Sequence, residues 1–342
     1  MNRELDADIK TRILARIEQD PNISLQSVSE ELERNSEHVE RSSLTTTTTV
    51  IHLTLESRAI DVCCVSETRI QDPSSVIHLT SSCQNKEPTR FTLRVSGSPD
   101  SASRGLAGVR IVLSPRAELA LLEWIPVDSR LCAVRLNGTV RIRKDRDTLR
   151  CLFVVSAYSP TDCSADDVKD EFYRKLSDLL LKARRSDVVI VAGDFNAQVG
   201  KLSDRERHLG GFYSVVAQRT DNGDRLLQLC SDNCLFLANT SFKDKEEHLL
   251  TWRPPNSSQR WTQIDHIAIS HRWRGSIEDC RSFWSTCLDS DHALVRAHAS
   301  RKPLRLGSHV CDAHPKAAWN DIRKAVETAM ISARADTASS DP

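Results

Sequence analysis

Val188-Val189-Ile190-Val191-Ala192-Gly193-Asp194-Phe195-Asn196 is the stretch that decides the reading of this 342-residue chain. A short apolar, β-branched run closed by glycine reads as a strand buried on both faces. Two polar residues follow at i and i+2, and in an extended chain Asp194 and Asn196 share a side. Strand ends in α/β architectures open crevices where sites are built. A carboxylate there can hold a cation or take a proton from water, and an amide two residues on can donate to a phosphate oxygen. Gly-Asp is also common turn chemistry, so alone the stretch fits an ordinary strand exit equally well.

Three further stretches repeat the pattern. Ile60-Asp61-Val62-Cys63-Cys64-Val65-Ser66-Glu67 reads as a buried strand ending in Glu67, an oxygen donor suited to a hard cation such as magnesium. Gln263-Ile264-Asp265-His266-Ile267-Ala268-Ile269-Ser270 sets Asp265 in an apolar strand, where a carboxylate needs a partner. Asp289-Ser290-Asp291-His292-Ala293-Leu294-Val295 leads an acid and an imidazole into a strand. An aspartate bonded to one ring nitrogen of His292 would fix its tautomer and favour the imidazolium, which could bond a phosphate.

Around these stretches, strands are predicted at 60–65, 109–113, 131–136, 151–158, 188–192, 235–238, 248–252, 263–270 and 293–297. A strong amphipathic helix is predicted between Asp166 and Arg184, with Val168, Phe172, Leu176, Leu179 and Ala183 as its apolar face, and a second from about Gly223 to Asp232. Many strands and few helices argue for an α/β fold: a four-layer sandwich of two mixed sheets flanked by helices. Residues 1–44 form a polar helical appendage, arranged like a degenerate helix-turn-helix around Asp20-Pro21-Asn22. Residues 1–41 carry six basic and ten acidic side chains, a poor balance for reading DNA. Beyond Pro303, the segment 303–342 reads as one more helix, through Trp319, Ile322, Val326, Ala329 and Met330, and then a polar tail.

Lys+Arg and Asp+Glu both number 47, so nucleic-acid binding must come from a local patch. Arg253 and Arg260, interleaved with Trp252 and Trp261, form such a patch for backbone contact and base stacking. The apolar runs are strand-sized, well short of the ~20 residues a membrane span needs, so no membrane partner is expected. The charged start has no secretory character. Eleven cysteines without a C-x-x-C pair suit a reducing compartment, nucleus or cytoplasm, with neither a disulfide framework nor a zinc site.

In order, Ser66-Glu67-Thr68, Ala157-Tyr158-Ser159-Pro160, Gly193-Asp194-Phe195-Asn196-Ala197, Thr251-Trp252, Ile264-Asp265-His266-Ile267 and Ser290-Asp291-His292 resemble the signature series of the endonuclease/exonuclease/phosphatase superfamily. The text around them, including Asp61-Val62-Cys63-Cys64 and Trp261-Thr262-Gln263-Ile264-Asp265, is most similar to apurinic-type endonuclease domains of flatworm RTE-like non-LTR retrotransposons. The resemblance implies that 45–302 is a DNA-nicking domain dependent on magnesium, with manganese as the alternative, and needing no small-molecule cofactor. It implies that Glu67 is the principal metal ligand and that Asp291 supports the metal site. Asp194 would orient and deprotonate the attacking water, and Asn196 would bond the phosphate. Tyr158 would lie beside the phosphate, Asp265 and His292 would form a dyad, and Trp252, with Arg253 and Arg260, would face the DNA.

The sequence departs from that family in one place. The family opens with a strand ending in Asn, but this chain has no Asn between Asn35 and Glu67, where Thr45–Thr49 stand instead. The departure leaves a sheet edge or a gap to be filled and weakens the metal site. It keeps open a second reading, a catalytically inactive relic that binds DNA or protein.

Overall fold

The computed structural model describes residues 51–52, 54–66, 76–80, 89–96, 108–143, 146–255, 258, 260–284, 290–299, 305–306 and 327–332. The helical appendage proposed for 1–44, the threonine run and Glu67 lie outside the described residues, as does most of 303–342. All described residues fall in one compact unit that starts at Ile51.

The fold is α/β, built on two mixed sheets. The strands are β1 (Val62–Ser66), β2 (Val76–Thr80), β3 (Arg90–Ser96), β4 (Val109–Leu113), β5 (Leu121–Pro126), β6 (Leu131–Leu136), β7 (Gly138–Arg143), β8 (Arg146–Leu149), β9 (Leu152–Tyr158), β10 (Val188–Asp194), β11 (Leu235–Leu237), β12 (Asp265–Ser270), β13 (Ile277–Phe283), β14 (Leu294–Ala299), β15 (Arg305–Leu306) and β16 (Glu327–Ser332). One sheet runs β13-β14-β16-β1-β4-β3-β2, the other β11-β12-β10-β9-β6-β5, and a small third sheet is β15-β7-β8. Among the described residues α1 (Pro115–Leu119), α2 (Asp166–Leu180) and α3 (Asp221–Asp232) join them, and 51–52 and 54–57 are also helical.

Alternation along the strands fills both faces of each sheet. Val62 and Cys64 of β1 meet Val154, Ile190, Ala192 and Ile267 of the second sheet in the central core. Cys63 and Val65 point the other way, towards Ile51, Leu55 and Phe91. Behind the second sheet, Phe153, Val155 and Val191 pack against Phe172, Leu176 and Leu179 of α2 and Leu226 and Cys230 of α3. Thr220 caps α3 by accepting from Gly223 N (3.2 Å). Val168, assigned to the apolar face of α2, is exposed in its first turn.

Two predicted elements are corrected. No strand runs from 248 to 252: Glu246–His248 is a 3-10 turn, and the backbone beyond it serves two different segments. Thr251 N and Trp252 N both donate to Thr262 O, while Thr251 O accepts from Ala293 N, which leaves no continuous ladder. At the C-terminus, Ala329 and Met330 belong to strand β16 and not to a helix. β16 runs parallel to β1 and antiparallel to β14, so it fills the sheet position whose vacancy the missing opening strand implied. Two open strand edges, each with a row of unmet backbone groups, outweigh local helical preference.

Candidate active site

The second sheet sets the register of the site. β10 runs parallel to β9 and antiparallel to β12, which puts Tyr158 and Asp265 on either side of Asp194. Gly193 is obligatory at this point, because a Cβ there would lie 1.8 Å from Ala157 O of the neighbouring strand. In the first sheet β16 lies between β1 and β14, so the C-terminal end of β1, at Ser66, and the N-terminal end of β14, which follows His292, share one end of that sheet. His292 then bridges to the second sheet: its Nδ1 lies 3.0 and 3.2 Å from the two carboxylate oxygens of Asp265.

All three members of this cluster are shielded from water: Asp265 is 0% exposed, Asp194 1% and His292 9%. Burial pulls the His292 imidazole down, but Asp265 first, then Asp194 and Asp291, outweigh it and raise its pKa to about 10. His292 is therefore an imidazolium at neutral pH, with Nδ1–H donating to Asp265 and Nε2–H able to serve an anion. Thr251 fixes the acid from behind, its Oγ1 accepting from Ile264 N (3.0 Å) and Asp265 N (3.1 Å).

Asn196 follows in a left-handed conformation (φ 47°), one that Asn tolerates better than most residues. Its backbone N–H donates to Asp194 Oδ1 (2.9 Å) and its side-chain amide to Ser159 O (3.1 Å). Asp194, Asp265 and His292 each present an atom within 4.8 Å of the other two. The carboxylates give this end of the sheets the oxygen chemistry that a hard divalent cation takes.

The remaining predicted residues fall around this cluster. Trp252 bridges His292 and Thr262 through its backbone, its ring lies 6.4 Å from the His292 ring, and its Nε1–H donates to Asp291 Oδ2 (3.0 Å). Asp291 thus stands beside the dyad but outside the three-residue cluster. Arg253 donates its backbone N–H to Asp291 O and holds its guanidinium over the Trp261 ring (5.7 Å). Arg260 is exposed and paired with Glu246. Tyr158 is half-buried under Arg130, whose guanidinium sits 5.0 Å above its ring. Arg130 is not marked by anything in its polar turn, nor are Asn222 and Asn239, whose roles come only from hydrogen bonds between distant segments of the chain. His266, next to Asp265 on β12, is wholly buried.

A sequence model of the family described as Endonuclease-reverse transcriptase matches residues 152–296, which include Tyr158, Asp194, Asp265 and His292. The catalytic domain of Xenopus laevis APE2 shares the fold, with a TM-score of 0.52 and 17% identity over 78% of this chain and 90% of that one. The family model spans 152–296 alone, and the likeness to the APE2 domain is one of fold. Among curated proteins, the chain is similar to craniofacial development protein 2 of Bos taurus and of Tragulus javanicus, each 30% identical over 190 residues, or 56% of this chain. The match spans 30% and 31% of those relatives' lengths.

Proposed function

We propose that this domain is a divalent-metal-dependent DNA endonuclease that nicks a strand by in-line attack of water on a phosphodiester. The observation that carries the reading is the convergence of Asp194, Asn196 and the Asp265–His292 pair on one sheet end. Asp194 orients the water and takes its proton. His292, charged and anchored by Asp265, donates Nε2–H to a non-bridging phosphate oxygen as negative charge builds there. The Asn196 amide assists, and Tyr158 lies beside the phosphate. Glu67, directly after β1, and Asp291 are the proposed magnesium ligands, with manganese as the alternative. The cation, when bound, supplies charge neutralisation and positions the phosphate. Trp252, Arg253 and Arg260 make the DNA-facing rim, by stacking and by charge. The order and text of the motifs, and the description of the matching family, support descent from a non-LTR retrotransposon of the RTE-like type.

A second reading rests on a specific observation: the strand beside β1, Glu327–Ser332, contains no Asn. On that reading the domain binds DNA without cutting it. Supercoiled plasmid incubated with the chain, with magnesium or with EDTA, separates the two. Nicked circles that need magnesium and vanish in Asp194→Ala and His292→Ala support the endonuclease. Retained DNA binding without any nicking selects the inactive domain, and nicking that survives both substitutions refutes the residue assignment.

A further inference from the structure

The turn that carries Asn196 has each of its carbonyls taken. Asp194 O accepts from Ser159 N (2.9 Å) and Gln198 O from Thr220 N (3.1 Å). The three between them are met by side chains from three separate elements. Ser159 Oγ reaches Phe195 O, with Pro160 O as its other acceptor at 2.8 Å. Asn222 Nδ2 donates to Asn196 O (3.3 Å) and Pro160 O (2.9 Å). His266 Nε2 donates to Ala197 O (2.8 Å). All three donors are buried, Ser159, Asn222 and His266 each at 0% exposure. His266 can donate from Nε2 while neutral because Asn239 Nδ2, 3.2 Å away, donates to its Nδ1. Buried polar side chains are costly to keep unless they are bonded, and each of these reaches a carbonyl of the same short turn.

We infer that Ser159, Asn222 and His266 are positioning residues that hold the Asp194–Gln198 turn in the left-handed form that aims the Asn196 amide at the phosphate. The inference rests on the endonuclease reading for its catalytic consequence but not for its geometry. Adjacent residues of the strand Asp265–Ser270 thus serve two segments: Asp265 pairs with His292, and His266 holds the backbone of the turn.

The test uses the full chain and two kinds of readout. By ¹⁵N NMR, His266 is expected to be neutral with its proton on Nε2; a proton on Nδ1, or a charged ring, overturns the inference. Amide exchange at Asn196 and Gln198 should quicken about tenfold or more in Asn222→Ala, and unchanged exchange counts against it. In the nicking assay, Asn222→Ala should lower kcat about tenfold or more with KM held within about twofold, the mark of a misaimed group. In an Asn196→Ala background the same substitution should cost less than about twofold, because its effect passes through Asn196. Equal losses in both backgrounds refute positioning. His266→Gln, which keeps an N–H donor, should retain more activity than His266→Leu. Ser159→Ala, a smaller change, carries the same cycle if Asn222→Ala does not fold. Absence of nicking by the unsubstituted chain sinks the endonuclease reading, while NMR and exchange still decide the positioning claim.

Discussion

Asp265→Asn is the sharpest perturbation the structure offers, since it removes one charge and keeps the shape. Asp265 is the foremost of the groups that lift His292 against the pull of burial to about 10. With an amide in its place, the imidazolium keeps only Asp194 and Asp291 as support, and its pKa should fall by about two units or more. Each unit is about 1.4 kcal/mol, so the variant gives up about 2.7 kcal/mol of preference for the charged form. That is below the ~3–5 kcal/mol usual for breaking a buried pair, because Asn retains a hydrogen-bond acceptor. At pH 9 the protonated fraction of His292 should drop from about nine-tenths to about a tenth or less. NMR titration of the histidines, with His292→Ala to assign the resonance, reads this directly. In the nicking assay kcat should fall about a hundredfold, the scale for losing a positioned charged donor. If His292 in Asp265→Asn still titrates above about 9, Asp265 is not what holds the charge and the account of the dyad is wrong.

Other consequences are open to simpler measurements. Gly193→Ala should destabilise the domain by about 3 kcal/mol or more, because the new methyl meets Ala157 O at 1.8 Å; a melting temperature equal to that of the parent contradicts the register. The raised pKa of His292 means that its pairing stabilises the fold fully below about 6.5 and fades as pH climbs through about 10. Thermal stability should therefore decline between these values, and the decline should shrink in Asp265→Asn. Asp61, buried under Ser114 and Arg116, ties the start of β1 to the first turn of α1. Asp61→Asn should cost about 2 kcal/mol in denaturant unfolding, and a cost near zero would mark that pairing as idle. Removal of divalent ions with EDTA should abolish nicking and leave the circular-dichroism spectrum unchanged, since the cores are built from apolar side chains.

The buried strands were legible because each is a short apolar run closed by a polar residue. Val109–Leu113 and Leu131–Leu136 match the predicted bounds to the residue. β3 and β13 were not legible, because Arg90, Arg94, Glu278 and Asp279 break the apolar pattern of strands whose polar side chains face outward. Asp194, Asp265 and His292 could be picked out as candidates at strand ends, although ordinary turn chemistry fitted Gly193-Asp194 equally well. Their convergence could not: Asp194 faces Asp265 only through strand register, and His292 joins them only because two sheets meet at that end. The same holds for β16, whose residues prefer a helix in isolation and become a strand because β1 and β14 leave unmet hydrogen bonds on either side. Sequence by itself determined which side chains could do chemistry and which runs had to be buried, because both follow from local composition. Tertiary structure alone decided which of them meet and which imidazole is charged, because distance and burial exist only once the sheets have packed.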